Sequence, residues 1–275
     1  MRLLRSFLLG LLVLSFAVGE SFAAEDGAAP AASPRLPGIL ASGELRIGLS
    51  GNQPPLNMRN KQGEIIGLEV DLMNALAESM RLKARFVTKP FAELLPALEK
   101  GEVDLVISGM TITPERNARV AFAGPYFISG KSVLSKSETI ARVDSATELD
   151  DPNRTYAALA GSTSEQFVNE VLPQAKLVTT PDYDSAVQMV IDDEVEALVA
   201  DFPFCALSVL RHPEAGLLAL ATPFTIEPLG IALPADDPLL VNLVTNYLNT
   251  LEATGLLARF KAKWFSEGSW VSELP

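Results

Sequence analysis

Short apolar strands and amphipathic helices alternate along the first half of the chain. Apolar and polar residues alternate over 45–49, a second strand is predicted at 83–87, and residues 103–107 form a continuous apolar run with one acid. Apolar residues recur at spacings of three and four over 68–80 and 91–98, which predicts one helix in each interval. This βαβαβ order predicts a parallel sheet covered by helices on both faces.

A second α/β unit follows after about residue 134. Its strands are predicted at residues 156–160, 177–179 and 197–200, and its helices begin near Ser162, Asp182 and Pro203. The last apolar strand, residues 230–233, and a long helix from Pro238 toward Trp264 have no strand partners of their own. They are therefore expected to pack back on the first unit.

The N-terminus has the pattern of a secretory signal peptide. Two arginines precede an almost unbroken apolar run over residues 7–18, and the small residues Ser21 and Ala23 fit a cleavage site. A buried core helix is the alternative, but the run has no polar face that would form its outer side. We predict that residues 1–23 are removed before Ala24 and that the mature protein is exported to the periplasm.

The segment after the cleavage site, residues 24–42, is predicted to be a flexible leader because it is rich in Ala, Pro and Gly. The folded part is expected to start near Gly43. The one cysteine, Cys205, lies far from the cleavage site and has no partner for an internal disulfide. We therefore expect neither a lipid anchor at the mature N-terminus nor a disulfide.

The charge and the motif content exclude several classes of function. The formal net charge is −12 and there is no basic stripe, which argues against nucleic acid or an anionic membrane surface as a partner. The single histidine, His212, argues against a zinc site or a hydrolase triad. No phosphate-binding loop or dinucleotide-binding turn is present, so we expect no cofactor and no metal.

Small, hydroxylated or charged residues follow the predicted strands. Ligands of open parallel sheets bind outside the carboxyl ends of the strands, so these residues are candidate ligand contacts. They are Ser50, Ser108, Gly109, Gly161, Ser162, Thr163 and Asp201. Part of this enrichment is explained equally well by turn and cap chemistry.

Arg116 is the sharpest of the candidate binding residues. Thr113 and Pro114 predict a helix start, with Thr113 as N-cap and proline in the first turn. Arg116 then lies where a cation opposes the helix dipole, a position that a bound anion would stabilise. An arginine fork on a ligand carboxylate fits this position. The alternative is a salt bridge to Glu115 or Asp104.

Two features of the second unit have both a capping and a binding interpretation. Residues 162–165 match a capping box after a strand and a glycine, and such a helix start either caps itself or receives an anionic group. Asp201 follows an apolar run and precedes Pro203. It is either the N-cap of the next helix or the partner of a ligand amine.

Several of these segments together resemble the family-3 extracellular solute-binding proteins of polar amino-acid ABC transporters. The segments are residues 67–72, 91–98, 108–116, 124–127, 161–163, 200–201, 230–232 and 261–265. The resemblance covers essentially all of residues 43–265, and its most specific part is the block Ser-Gly-Met-Thr-Ile-Thr-Pro-Glu-Arg that ends at Arg116.

The resemblance implies the type II periplasmic-binding-protein fold, an α/β fold of two lobes joined by two crossings. Each lobe is then a mostly parallel sheet flanked by helices. Lobe 1 is expected to contain residues 43–132 plus 225–275, and lobe 2 residues 133–224. The crossings are expected near residues 131–135 and 221–225.

The resemblance also implies roles for individual residues. Arg116 is expected to hold the ligand α-carboxylate, helped by the backbone of Gly109 and the hydroxyl of Thr111. Asp201 is expected to hold the α-ammonium, and Phe91 to lie along the ligand side chain. The loop after Ala160, with Gly161, Ser162 and Thr163, is expected to close over the carboxylate from the other lobe.

The chain departs from the family pattern after its first strand. Ser50 and Gln53 stand where an acid and an aromatic residue are expected. They add hydrogen-bonding capacity, which favours a ligand with a polar or modest-sized side chain over a strongly cationic or flat aromatic one.

From these features we expect a monomeric periplasmic protein that binds a small zwitterion, an amino acid, and delivers it to the permease of an ABC transporter. The alternative is an enzyme on the same scaffold, similar to periplasmic cyclohexadienyl dehydratases. Such an enzyme needs a carboxylic acid in the cleft as proton donor, and Glu69 and Glu227 are the candidates. Dipole and loop explanations account for both residues as well.

Overall fold

The computed structural model describes residues 33–274, so the predicted signal peptide and the first part of the leader lie outside the described residues. The helices are α1 (Leu36–Ser42), α2 (Leu68–Ser79), α3 (Leu94–Glu99), α4 (Pro114–Asn117), α5 (Glu138–Ala141), α6 (Thr163–Val171), α7 (Tyr183–Ile191), α8 (Phe202–Arg211), α9 (Pro238–Ala253) and α10 (Leu256–Phe265). The strands are β1 (Glu44–Leu49), β2 (Asn52–Gln53), β3 (Asn57–Arg59), β4 (Ile65–Ile66), β5 (Lys83–Thr88), β6 (Leu105–Val106), β7 (Ala121–Ser129), β8 (Lys131–Ser135), β9 (Thr155–Leu159), β10 (Lys176–Thr180), β11 (Ala197–Asp201), β12 (Leu218–Ala219) and β13 (Glu227–Leu233). No helix in this range is long and apolar enough to span a bilayer.

Two five-stranded sheets form the two lobes, which confirms the expected two-lobe α/β fold. Their strand orders are β5-β1-β6-β13-β7 in lobe 1 and β10-β9-β11-β8-β12 in lobe 2. In each sheet three neighbouring strands are parallel, because helices return the chain between them. The remaining pairs of neighbouring strands, β6-β13 and β13-β7 in lobe 1 and β11-β8 and β8-β12 in lobe 2, are antiparallel. Strands β7, β13, β8 and β12 are the ones that flank the crossings between the lobes.

The chain crosses between the lobes twice, and the two crossing segments lie side by side. It passes from β7 to β8 through Gly130, and it returns between β12 and β13. The N–H of Lys131 donates to the Thr225 hydroxyl over 2.9 Å, and a Cβ at Gly130 would collide with the Thr225 carbonyl oxygen. The first crossing is therefore one residue, and residues 131–135, expected to be that crossing, are strand β8 of lobe 2.

The predicted leader extends too far into the folded part. Helix α1 lies inside the interval 24–42 and buries Leu36 and Ile39 in the core of lobe 1. The Asp237 carboxylate fixes the entry to this helix, because it accepts hydrogen bonds from the Ser33 hydroxyl (2.6 Å) and the Arg35 N–H (2.9 Å). Over residues 33–42 the prediction of a flexible leader is wrong, since two apolar side chains and this carboxylate hold the segment.

The C-terminal helix is divided in two. Gly255 adopts a left-handed conformation (φ 73°) and separates α9 from α10, where the sequence predicted one continuous helix. Leu240, Val244 and Trp264 pack into the same core as Leu45 of β1. The prediction that this segment packs back on the first unit is confirmed.

Cys205 lies on α8 in the core of lobe 2 and is completely buried. Burial, with a smaller effect of the negative charge of Asp201, raises the pKa of its thiol to about 12. At neutral pH this side chain is therefore a small apolar thiol rather than a nucleophile.

Candidate functional site

The strand-end loops of the two lobes meet in a cleft, and several hydrogen bonds cross it. These are Thr111 Oγ1 with Thr163 Oγ1 (3.3 Å), Arg116 Nη2 to the Gly161 oxygen (3.0 Å), Thr163 Oγ1 to Glu227 Oε2 (3.2 Å) and Gln53 Nε2 to Asp201 Oδ2 (3.4 Å). The lobes are therefore closed on one another. These bonds join residues that lie between 45 and 148 positions apart in the sequence.

Helix α4 positions Arg116 as its capping sequence predicts. The Thr113 hydroxyl accepts a hydrogen bond from the Arg116 N–H over 3.2 Å, and Pro114 opens the helix. The guanidinium donates to the carbonyl oxygens of Thr111 (2.9 Å) and Gly161 (3.0 Å). The residue is only 7% exposed, so its charge is largely removed from water.

No carboxylate of the described residues lies at salt-bridge distance from Arg116. Asp104, one of the two predicted alternatives, pairs with Arg46 at 2.6 Å instead. Burial lowers the pKa of Arg116, and the negative charges of Glu227 and Asp201 oppose that shift, Glu227 more strongly. The interpretation of Arg116 as a structural salt-bridge residue is therefore wrong for both named partners.

Phe91 and a cavity of about 360 Å³ lie beside this guanidinium. The Arg116 Cζ atom is 5.6 Å from the centroid of the Phe91 ring, which places the cation over an aromatic face. The cavity lies between the lobes and is lined by Phe91, Met110 and Ser162 among others. Phe91 thus helps to hold Arg116 in place in addition to lining the cleft.

At the start of α6, Ser162 caps the helix and the next residue, Thr163, lies in the cleft. Ser162 is the N-cap, since its hydroxyl accepts from the N–H groups of Ser164 (3.2 Å) and Glu165 (3.3 Å). Glu165 accepts from the Gly161 N–H rather than from the N-cap residue itself, so the predicted capping box is half formed. Thr163 reaches across the cleft instead and contacts Thr111.

Asp201 occupies the N-cap position of α8, as one of the two interpretations expected, but its side chain makes no capping hydrogen bond. Its carboxylate lies 2.7 Å from the Nζ of Lys131, its direct neighbour in the antiparallel register of β8 and β11. Lys131 Nζ also lies 3.7 Å from Glu227. Sequence reasoning missed Lys131, although a lone lysine at the start of an otherwise apolar and hydroxylated strand indicates a buried partner.

Glu69 anchors the loop that follows β6. It is fully buried at the start of α2 and accepts hydrogen bonds from the Gly109 N–H (2.6 Å), the Asn57 side-chain amide (2.6 Å) and the Tyr126 hydroxyl. The Gly109 N–H is thus occupied by Glu69, so it does not supply the expected backbone contact to a ligand carboxylate.

Ser108 and Ser50 belong to the same buried network. The Ser50 N–H donates to the Ser108 hydroxyl over 2.9 Å, and the Ser50 hydroxyl donates to Asn57 over 3.2 Å. Ser108 is completely buried. These two serines therefore join the loops after β1 and β6, rather than presenting hydroxyls to the cleft.

Gln53 and Tyr183 complete the cleft. Gln53 is 2% exposed, and its amide donates to Asp201, which leaves its Oε1 atom without a partner among the described residues. Tyr183, on α7 of lobe 2, stacks on Phe204 with centroids 4.3 Å apart. Burial, with a smaller effect of Asp201, raises the pKa of Tyr183 well above its usual value, so the ring stays neutral. The sequence analysis did not identify this aromatic pair.

Glu69 gives the protein a predictable pH dependence. Burial raises the pKa of Glu69 to about 6, against the opposing hydrogen bonds from Tyr126, Gly109 and Asn57. The folded state then binds more protons than the unfolded state between about pH 4.5 and pH 6, so this residue lowers the free energy of unfolding as the pH rises through that window. The expected loss is about 2 kcal/mol, complete above pH 6.

Urea unfolding of the wild type and of Glu69→Gln at pH 4.5, 5.5, 6.5 and 7.5 measures this effect. The variant is expected to be less stable at low pH, because its amide nitrogen faces the Asn57 donor. The difference in stability between the two proteins should shrink as the pH rises. A difference that stays constant over the four pH values would show that Glu69 has an ordinary pKa.

The fold and the inter-lobe cleft define a two-lobe solute-binding protein of the type II periplasmic class. Residues 45–267 match the model of the bacterial extracellular solute-binding proteins, family 3, and the chain belongs to this family.

Two relatives differ in what they do. The cyclohexadienyl dehydratase of Pseudomonas aeruginosa is 28% identical over 230 residues, which cover 84% of this chain and 85% of the relative. The ABC transporter arginine-binding protein 1 of Escherichia coli K12 is 27% identical over 236 residues, which cover 84% and 94%.

Two solved structures are similar over most of the chain. An ancestral amino acid-binding protein, a precursor of cyclohexadienyl dehydratase, is 34% identical with a TM-score of 0.76, and the match covers 84% of this chain and 99% of that one. A protein from Wolinella succinogenes in complex with lysine is 34% identical with a TM-score of 0.78 and the same coverage. The family therefore contains both binding proteins and an enzyme.

Proposed function

We propose that this chain is a periplasmic binding protein that captures a small zwitterionic solute, an amino acid, and delivers it to an ABC transporter. The observation that carries the proposal is the buried Arg116 guanidinium, which donates to the carbonyl oxygen of Thr111 in its own lobe and to that of Gly161 across the cleft. A buried cation is costly unless an anion compensates its charge. A ligand carboxylate supplies that charge and accepts two parallel hydrogen bonds from the guanidinium.

The relatives support the ligand class and the role. The E. coli relative is the arginine-binding protein of an ABC transporter, and the W. succinogenes structure contains lysine. We further propose that the partner is an inner-membrane permease and that the protein acts as an exported monomer whose signal peptide is removed near Ala24. Release of the ligand requires the lobes to separate about the two crossings.

Thermal unfolding in the presence of candidate ligands tests the proposal. A ligand present at one hundred times its dissociation constant adds about 2.7 kcal/mol to the free energy of unfolding. For a domain of this size, that corresponds to a rise in Tm of about 5 to 10 °C. We expect such a rise with at least one L-amino acid and none with neutral sugars. The same rise with a sugar, and none with any amino acid, would contradict the proposal.

Dehydratase chemistry is the second candidate function, because the P. aeruginosa relative is an enzyme and the cleft of this chain contains the Glu227 carboxyl. Glu69 is less suited to donate a proton to a substrate, since it is fully buried and holds three hydrogen-bond donors of its own lobe. Incubation with a cyclohexadienyl carboxylate distinguishes the two functions. An enzyme forms an aromatic product with strong ultraviolet absorbance, whereas a binding protein returns the compound unchanged.

A further inference from the structure

Three charged side chains meet at one end of the cleft. Lys131 Nζ lies 2.7 Å from Asp201 Oδ1 and 3.7 Å from Glu227 Oε2, and the three side chains are 3%, 6% and 11% exposed. With both acids ionised, one lysine leaves this cluster with a net charge of −1, which the Arg116 guanidinium offsets only in part because it lies beyond salt-bridge distance of both acids. A charge in so little contact with water requires a cation, and the ammonium of an amino acid is a cation of suitable size.

Both carboxylate oxygens of Asp201 already contact side chains of the protein itself. Lys131 and Asp201 face each other on neighbouring strands of lobe 2, so the ion pair moves as one body when the lobes separate. The second oxygen of Asp201 accepts from the Gln53 amide over 3.4 Å when the cleft is closed. A ligand ammonium at Asp201 would stand directly beside the Lys131 ammonium, where like charges repel each other.

Glu227 makes weaker contacts with protein groups than Asp201 does, and it lies closer to the loop that contacts Arg116. Its oxygens accept from the hydroxyls of Thr225 (3.0 Å) and Thr163 (3.2 Å), and the lysine is a full ångström farther from it than from Asp201. Thr163 lies two residues after Gly161, whose carbonyl oxygen accepts from Arg116. Glu227 is also the acid whose charge acts most strongly on the Arg116 guanidinium.

The chemistry of an α-amino acid selects between these two acids. Its carboxylate and its ammonium are attached to the same carbon atom, so the acid that receives the ammonium must lie beside the group that holds the carboxylate. Glu227 meets this requirement through the loop of Gly161 and Thr163, which contacts both Arg116 and Glu227. Asp201 is joined instead to Gln53 and Lys131.

We propose that Glu227, and not Asp201, is the carboxylate that receives the ligand ammonium, and that Lys131 makes this assignment by neutralising Asp201. The inference rests on the proposed function, because it takes Arg116 as the site of the ligand carboxylate. It revises the role that the family resemblance implies for Asp201. Glu227 is thereby a specificity-determining residue that distinguishes amino acids from amine-free acids of the same shape.

Matched ligands that differ only at the amine test this assignment. Calorimetry would compare L-arginine with L-argininic acid, L-glutamate with L-2-hydroxyglutarate, and L-leucine with L-2-hydroxyisocaproate. The measured quantity is the amine preference, the affinity of the amino acid divided by that of its hydroxy acid. Glu227→Gln is expected to lower this preference about tenfold or more while leaving the affinity for the hydroxy acid nearly unchanged.

The double variant Lys131→Met/Asp201→Asn is the matched control. It removes the ion pair as a unit and retains the net negative charge of the cluster on Glu227. The amine preference is therefore expected to stay within about threefold of the wild-type value. Binding of the hydroxy acids reports in both variants that the cleft is folded.

The outcomes separate the two proposals. If the double variant lost the amine preference and Glu227→Gln retained it, the ligand ammonium would be bound by Asp201. That result would overturn the inference but would not affect the role of Arg116. Wild-type protein that binds none of the L-amino acids in the thermal screen, and no member of these pairs, would overturn the proposed function and the inference with it.

Discussion

Replacing Arg116 with alanine is expected to weaken the binding of a carboxylate ligand by roughly 2 to 5 kcal/mol. The guanidinium is buried in the closed cleft, and no carboxylate of the described residues lies at salt-bridge distance from it. Its removal leaves the ligand carboxylate desolvated against two carbonyl oxygens that repel it. Isothermal titration calorimetry with the amino acid that gives the largest rise in Tm measures the loss.

Arg119→Ala is the control for this substitution. Arg119 lies three residues later in the same segment, but its side chain is 52% exposed and pairs with Glu99 at the surface. Its loss is expected to change the affinity by less than about 1 kcal/mol. Equal affinities of the wild type and Arg116→Ala would show that the ligand carboxylate is bound elsewhere, even if the protein still binds amino acids.

Substitution of Gly67 by alanine is expected to lower the free energy of unfolding by about 3 kcal/mol or more. Gly67 precedes α2 with φ 140°, a conformation that L-residues rarely adopt, and a Cβ there would collide with the Leu56 carbonyl oxygen and lie 2.9 Å from the Cα of Asn57. These backbone atoms cannot move freely, because Leu56 accepts the Glu69 N–H over 2.9 Å.

Gly63→Ala separates the collision from the backbone conformation. Gly63 also has a positive φ, 81°, but a Cβ there meets open space. This variant should lose only the 1 to 2 kcal/mol, approximately, that a left-handed conformation costs an L-residue. Urea unfolding of both variants gives the comparison. An equal loss of unfolding free energy at the two positions would mean that the loop of Leu56 and Asn57 shifts to accommodate the new methyl group.

The parallel part of each sheet could be predicted from hydrophobic periodicity. The predicted strands 45–49 and 83–87 are β1 and β5 to within one residue, because apolar and polar residues alternate along both the buried strand β1 and the edge strand β5. The antiparallel strands β7 and β8 could not be predicted in this way. Every residue of β8 is buried although three of its five residues, Lys131, Ser132 and Ser135, are polar, since their partners come from distant segments.

In the site as well, residues in locally recognisable motifs could be predicted, whereas contacts between distant segments could not. Arg116 and Thr163 could be located from local chemistry, because each lies in the first turn of a helix whose N-cap residue is recognisable in the sequence. The pairing of Lys131 with Asp201 spans 70 residues and depends on the register of β8 with β11, which no local pattern contains. The same holds for the contact of Glu227 with Thr163.

The buried Cys205 gives the folded chain a particular redox behaviour. Its thiol is inaccessible and almost entirely protonated, so oxidants and disulfides cannot react with it in the native state. Once the chain unfolds, the same thiol has an ordinary pKa of about 8.5, and its thiolate exchanges with a disulfide of an oxidising compartment to give a mixed disulfide. The thiolate of a second unfolded chain then attacks the Cys205 sulfur of that mixed disulfide and displaces the other thiol. Since the sequence has a single cysteine, the only disulfide that the chain forms with itself is a covalent dimer. In an oxidising compartment, the amount of that dimer therefore records how many molecules have left the folded state.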